Sequence, residues 1–307
     1  MDGLILGIAP VFVLIAIGYG LRKSDFLPDA TWRPIEKLAI NLLYPGFLIP
    51  AIWHADLSGP SAGAAGGAAV VSVILVGALA LAAKPFLTLD GPAYTSVFQG
   101  VIRWNSFVFL PVVQSLFDDR GLAVAAVMIA CIIPVTNIAC VAVLARWGAN
   151  QRGVSPLALL SAMARNPILM ACLIGLTLNF IGAPGFPVLD RTLELIGAAA
   201  LPLGLIVAGA GLSFAEVVRR RTTVFWVSVV KLVAMPFLMW GVCRAMGGDP
   251  LAQSLALLCG ATPGAAASYM LARQMGGDAQ LMAGVIALTT VGGAVTMPLL
   301  LVLFHFV

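Results

Sequence analysis

The sequence predicts an all-α membrane protein of ten transmembrane helices, built as two five-helix halves. Three observations predict it: the composition, the lengths of the apolar runs, and a weak internal repeat. Of 307 residues, 61% are hydrophobic and only 10% are charged. A soluble domain has about a quarter of its residues charged to cover its surface, so this chain cannot be wetted on all sides. The same figures exclude disordered, collagen-like and disulfide-scaffold classes. The 32 glycines and 19 prolines suit membrane helices, which pack closely and break where neighbours re-satisfy the backbone.

A membrane helix needs about 20 mostly apolar residues. Runs of that kind occupy 4–21, 35–53, 62–83, 94–117 and 122–144, and then 167–181, 193–214, 224–245, 251–272 and 281–306. The sixth is short and is expected to start earlier, near Pro156 or Leu160. Continuous runs without alternation exclude a strand barrel. The first run lacks a basic leader and a small-residue cleavage site before Arg22 and Lys23, so it reads as a span and not a cleaved signal.

Charge placement sets the orientation. Twelve of the 17 Lys and Arg fall in loops of one side, three (Arg120, Arg191, Arg244) on the other, and Arg103 and Lys231 within spans. Basic loops stay in the cytoplasm, which puts both termini on the outer side of an inner or plasma membrane. The run Arg219–Arg221 is then a topology signal, not a nucleic-acid patch. Trp32, Trp53, Trp147 and Trp226 fall near span ends, as an interfacial belt requires. Cys131, Cys140, Cys172, Cys243 and Cys259 lie in apolar runs without CxxC spacing and read as packing residues, with no metal or redox centre.

The repeat appears when the second half is slid onto the first. At an offset of 157, Pro10 falls on Pro167, Gly18 on Gly175 and Pro45 on Pro202; at 159, Asn105 falls on Gly264 and Leu122 on Leu281. The halves are 1–150 and 151–307. Five spans is an odd number, so the second copy is inverted, the arrangement of many secondary transporters. Their sites lie at midplane, where corresponding helices are interrupted. The fourth span carries Asn105 and Pro111 in mid-run, and the ninth carries Pro263 and Gly264. Proline removes a helical hydrogen bond and glycine lets the chain open, so both spans are expected to break there.

Five segments carry a family resemblance: PVFVLIAIGYGLRK at 10–23, INLLYPGFL at 40–48, RWNSFVFLP at 103–111, NPILMACLIGL at 166–176 and AAALPLGLIVAGAGL at 198–212. Along its whole length the chain resembles the auxin efflux carrier family, which includes PIN-type auxin exporters and proteins called malonate transporters. The resemblance implies a scaffold from spans 1, 2, 6 and 7 and a mobile transport domain from spans 3–5 and 8–10. It also implies that spans 4 and 9 cross at their breaks, as in sodium/proton antiporters and bile-acid symporters, with elevator movement and homodimerisation through the scaffold. The family often has small glycines after the fourth-span asparagine, where this chain has Phe107, Val108 and Phe109; that departure bears on the size of the substrate.

Intramembrane charge is costly and marks function. All 13 acidic residues lie in loops or near span ends, while Arg103 and Lys231 are both positive. That balance points to an anionic substrate. Arg103 can grip a carboxylate with paired hydrogen bonds or hold the carbonyls of the broken helix. Lys231 can snorkel to the interface, pair structurally, or stand beside the crossing in place of a coupling cation. Asn105 offers donors and an acceptor without the cost of burying a charge and is the foremost candidate for substrate contact. Thr136 and Asn137 can contact substrate or bond between helices. Pro263 and Gly264 mark the second break. Thr289 and Thr290 can bond back to their own helix. His54 and His305 sit at span ends and read as interfacial.

The expected function is a secondary or facilitative carrier of a small organic anion, such as malonate or an auxin-like weak acid. No cofactor is expected, and H+ and Na+ both stand open as coupling ions. The alternatives are a cation-coupled symporter of a larger or neutral solute, and a receptor or channel scaffold. An enzyme is not expected, because the spans hold no convergent carboxylates, His ligands or nucleophile–base pair. No GxxxxGK[ST] motif for ATP binding occurs.

Overall fold

In the computed structural model, which describes residues 2–55, 61–149, 157, 161 and 164–304, the regular structure among the described residues is entirely helical. Helix α1 spans Asp2–Lys23, α2 Asp29–Leu38, α3 Tyr44–Trp53 and α4 Ser61–Ala83. Then come α5 at Gly91–Ile102 and α6 at Ser106–Trp147. The second half holds α7 at Pro167–Phe180, α8 at Pro187–Ala198, α9 at Ala200–Ala210, α10 at Ala215–Arg219, α11 at Arg221–Val229 and α12 at Met235–Ala245. It ends with α13 at Pro250–Ala261, α14 at Ala266–Met275 and α15 at Ala279–Leu303. Single π-helical turns join α2 to α3 at Ala39–Leu43 and α11 to α12 at Val230–Ala234.

Side-chain caps fix several helix starts. The Asp90 carboxylate accepts from Ala93 N at 2.8 Å, and that of Asp249 accepts from Ala252 N at 2.8 Å. Each begins a 12-residue helix, α5 or α13, with proline in its first turn, where the missing amide costs nothing. The two capped helices lie 159 positions apart, the same offset that relates Asn105 to Gly264.

Seven helices among the described residues are long and apolar enough to cross a bilayer, or eight when α13 and α14 count as one bent span. Two of the ten runs read from the sequence, those of α1 and α7, are not among these eight. Helix α7 has only 14 residues, fewer than the roughly 20 a crossing needs, and its expected starts at Pro156 and Leu160 lie outside the described residues, as does His305. The fourth and fifth runs join in α6, whose 42 residues would extend about 63 Å if straight. Gly121 resolves that length. A Cβ there would collide with the Phe117 Cβ, although residues four apart on a straight helix stand about 5–6 Å apart. The chain therefore turns sharply between the membrane-length pieces Gly91–Phe117 and Asp119–Trp147.

Helix packing falls into two groups. Helices α1, α2, α3, α7, α8 and α9 pack mainly on one another, as do α4, α5 and α11–α15, while α6 touches both groups and α15 also meets α1. Within the first group, small residues let backbones meet. A Cβ on Gly18 would strike Ile206 O, and one on Gly175 would lie 3.1 Å from Ile49 O. Gly18 and Ile49 fall on Gly175 and Ile206 at the offset of 157, so one contact is made twice with the halves exchanged. The interfacial belt is only partly as expected. Trp226 is exposed, whereas Trp32 and Trp53 are buried against neighbouring helices.

Gly209 has the same backbone contact, since its Cβ would strike Ile15 O, whereas a Cβ on Gly20 would meet nothing within 4 Å. Gly209→Val is expected to cost at least about 1–3 kcal/mol through overpacking, and Gly20→Ala is expected to be neutral or stabilising by about 0.5–1 kcal/mol. Fluorescence-detected melting in detergent checks both; equal melting temperatures for the two variants would count against tight α1–α9 packing.

Candidate functional site

Two stretches of extended backbone interrupt helices in the interior. The first separates α5 from α6: Arg103 has φ −84° and ψ 153°, and Asn105 has φ −107° and ψ 103°. The second separates α13 from α14: Thr262 has φ −64° and ψ 146°, and Ala265 has φ −73° and ψ 133°. There the two helices meet at 47°. Pro263 and Gly264 lie within this second break, as expected. Pro111 does not lie at the first one; it is the sixth residue of α6, inside the helix. The chain opens at Arg103–Asn105 because Asn105 acts as a cap, its Oδ1 accepting from Phe107 N at 2.9 Å.

Each break leaves backbone groups that the surroundings must take up. Pro263 has no amide to give Cys259 O, and the Thr262 hydroxyl donates to that carbonyl instead at 2.6 Å. Gly264 N donates to Thr289 Oγ1 at 3.0 Å, while the Thr289 hydroxyl donates to Val285 O at 2.7 Å. Asn105 Nδ2 reaches Gly264 O at 3.4 Å, a long bond by usual geometry. One buried amide thus caps its own helix and touches the other break. Gly264 has neither a positive φ nor a prohibitive contact at its Cβ, so proline and the side-chain caps open the second break.

The remaining candidates lie outside the Asn105–Gly264 contact. Arg103 Nη2 donates to Asn137 Oδ1 at 3.1 Å, and its Nη1 is buried without a hydrogen-bond partner. The Thr136 hydroxyl donates back to Ile132 O at 2.9 Å, leaving its donor committed to its own helix. Lys231 does not snorkel: it is 0% exposed, and its Nζ donates to Gly260 O at 3.1 Å. His54 stacks on Trp53 and approaches Asp190 Oδ1 at 3.3 Å, half exposed, as an interfacial residue does. Four cysteines are buried, while Cys131 is exposed.

A cavity of about 680 Å³ opens between the two helix groups and reaches Asn105. Phe107 and Val108 of α6, Trp32 of α2, Tyr269 of α14 and Thr290 of α15 line it, together with Arg22, Arg33, Arg273, Asp29 and Glu36. Arg22 donates to Asp29 Oδ1 at 3.0 Å and to Ala210 O at 2.8 Å. Arg33 and Arg273 belong to the loops and span ends that carry the basic excess. Of the residues expected to meet a substrate, only Asn105 lines this cavity; Arg103, Thr136, Asn137 and Lys231 stand behind it.

Sequence reading left Thr289 and Thr290 unassigned and did not single out Tyr269 or Arg273. The last two share a face four residues apart on α14, a spacing that becomes informative only once the break at 262–265 is fixed. The wall offers an amide, hydroxyls, a phenol, an indole and guanidinium groups. Such a set can hydrogen-bond and neutralise a small anion while packing an apolar body. Among the described residues no group of His, Cys, Asp and Glu is placed to hold a metal ion.

Comparison with known proteins agrees with a transport role. The profile of the family described as membrane transport protein matches residues 4–301. An uncharacterized transporter of Methanothermobacter thermautotrophicus is 24% identical over 297 residues, covering 94% of each chain.

Thr289→Val removes the acceptor for Gly264 N and leaves a buried amide unpaired, at an expected cost of about 1–3 kcal/mol. Thr290, whose hydroxyl only donates to Ile286 O at 2.7 Å, is expected to tolerate valine at less than about 1 kcal/mol. Melting curves of the two variants in one detergent check the ordering, and a reversed order would remove Thr289 from its bracing role.

Proposed function

This chain belongs to the membrane transport protein family, the auxin efflux carrier family, and on that premise we propose that it carries a small organic anion across the bilayer as a secondary or facilitative transporter. The observation that supports this most is the cavity running from the basic side of the molecule to Asn105 at the contact of two helix breaks. Discontinuous helices of this kind form the midplane sites of many carriers. The excess of guanidinium groups at the mouth favours anions, and the interior, free of mid-span carboxylates, offers no acidic pair for a bound cation.

The proposed site centres on Asn105, with Thr290 and Tyr269 lining the same cavity, while Pro263 and Gly264 belong to the second break next to Asn105 without lining it. Arg103, held by Asn137 and with one unpaired nitrogen, contributes positive potential from behind the crossing. Thr136 braces the same helix. Phe107 and Trp32 provide an apolar surface for the body of the substrate, and the bulk of Phe107 limits its size.

We further propose a five-plus-five inverted repeat with elevator movement. The segregation of contacts into two helix groups and the duplicated Gly18–Ile206 and Gly175–Ile49 contacts support this reading. In it, α1–α3 and α7–α9 form the static scaffold, which also carries a homodimer contact, and the other group moves with the site. Both termini lie outside, and the cavity described above faces the cytoplasm.

Counterflow of labelled malonate in proteoliposomes tests the assignment, with unlabelled mono- and dicarboxylates as competitors. Wild type is expected to show saturable exchange, and Asn105→Ala to lose at least about tenfold, roughly 1.4 kcal/mol, in protein that still folds but melts lower, because the substitution also removes the α6 cap at about 0.5–2 kcal/mol. Unimpaired exchange in Asn105→Ala would move the site elsewhere; no exchange with any carboxylate would sink the organic-anion reading. Arg273→Gln is expected to raise the apparent KM several-fold at low ionic strength, an effect that fades as salt screens the mouth. A salt-independent change would instead point to direct contact.

A further inference from the structure

Lys231 is a fully buried charge whose surroundings hold no counter-ion: its side chain is 0% exposed, and among the described residues no ion pair includes it. Its hydrogen bond goes to Gly260 O at 3.1 Å. A π-helical turn at Val230–Ala234 sets its direction; such turns shift side chains off the regular helical register and often occur at functional positions.

The acceptor is a special carbonyl. Gly260 is the second-to-last residue of α13, at the end where carbonyls lack helical partners and the helix dipole is negative. The amide that would continue the ladder, Gly264 N, is turned away to Thr289 Oγ1 at 3.0 Å. The preceding carbonyl, Cys259 O, is taken by the Thr262 hydroxyl at 2.6 Å. The lysine and the helix end are held together: a Cβ on Gly260 would lie 2.5 Å from Pro236 Cα, so α12 presses backbone against backbone just beyond the π turn. Carbonyls at the C-terminal ends of half-helices are where discontinuous-helix carriers hold coupling cations.

We infer that Lys231 is a tethered cation, whose ammonium occupies the place at the end of α13 that an alkali ion would otherwise fill. The carrier therefore moves its substrate without binding Na+. Only that last consequence rests on the carrier reading. The cation site itself can be tested on protein without substrate.

The test is fluorescence-detected melting of the purified full chain in detergent at constant ionic strength, with N-methylglucamine chloride replaced by NaCl, LiCl or ethylammonium chloride. Wild type is expected to melt at the same temperature in NaCl and N-methylglucamine. Lys231→Ala, which empties the position, is expected to melt about 5–10 °C lower and to regain a large part of that loss with Na+, Li+ or ethylammonium. Lys231→Met, which fills similar space without charge, is expected to stay destabilised and to ignore added cations. Lys231→Ser repeats the measurement if the alanine variant fails to fold. A Lys231→Met protein as stable as wild type would overturn the inference, as would wild type stabilised specifically by Na+ or an emptied variant that no cation restores. None of these outcomes bears on whether malonate is exchanged in counterflow, so failure here and failure of the carrier reading are told apart.

Discussion

Inside a membrane a helix can stop only where something else takes its hydrogen bonds, and that constraint governs the centre of this protein. An unpaired backbone group in hydrocarbon costs several kcal/mol, so two neighbouring breaks are sustainable only if the side chains around them are specified. Here Thr262 and Lys231 take the carbonyls at the end of α13, Thr289 takes the amide of Gly264, and Asn105 bonds to both breaks. Most of these bonds are short, and the Asn105–Gly264 contact is the longest at 3.4 Å. Together they permit extended backbone where lipid alone would forbid it, and extended backbone is what places polar groups in the interior beside the cavity.

The same economy explains the distribution of charge. Among carboxylates near the cavity, Asp29 and Glu36 stay at the mouth, where water reaches them. The two interior cations are stationed at the breaks: Arg103 is the residue that ends α5, and Lys231 bonds to the end of α13. A helix C-terminus carries partial negative charge, which favours a cation there without a carboxylate partner; Lys231 bonds to the backbone and Arg103 to the Asn137 amide. An interior arranged in this way is positive overall. That balance supports the proposed anionic substrate.

Packing divides the molecule between close backbone contact and looser side-chain contact. At Gly18, Gly175 and Gly209 the helices of the first group meet backbone to carbonyl, a geometry that tolerates almost no sliding. The cavity lies instead between that group and the other, bounded by Trp32 on one side and by Phe107 and Tyr269 on the other. Rings and long side chains can repack where abutting backbones cannot. The division between rigid and adjustable surfaces thus follows residue size.

The sequence by itself determined that the chain is a membrane protein and where most of its helices run, because burial in lipid demands long apolar runs whatever their partners. It also located both breaks to within a few residues, since proline and capping residues act locally. It misplaced the first opening only in including Pro111, which a helix accommodates once Asn105 has capped its start. What tertiary structure decided was which groups meet. The Asn105–Gly264 bond joins positions 159 residues apart, the Lys231–Gly260 bond depends on a π turn that no periodicity announces, and Thr289 found its role only when Gly264 N needed an acceptor. Arg103 and Asn137 were both legible as polar residues in apolar runs, yet their pairing, and their place behind the cavity, follow from how α6 folds back at Gly121. Local chemistry writes itself into neighbouring residues, whereas a site between helices is fixed by their packing, and that sum over the whole chain leaves no mark at any one position.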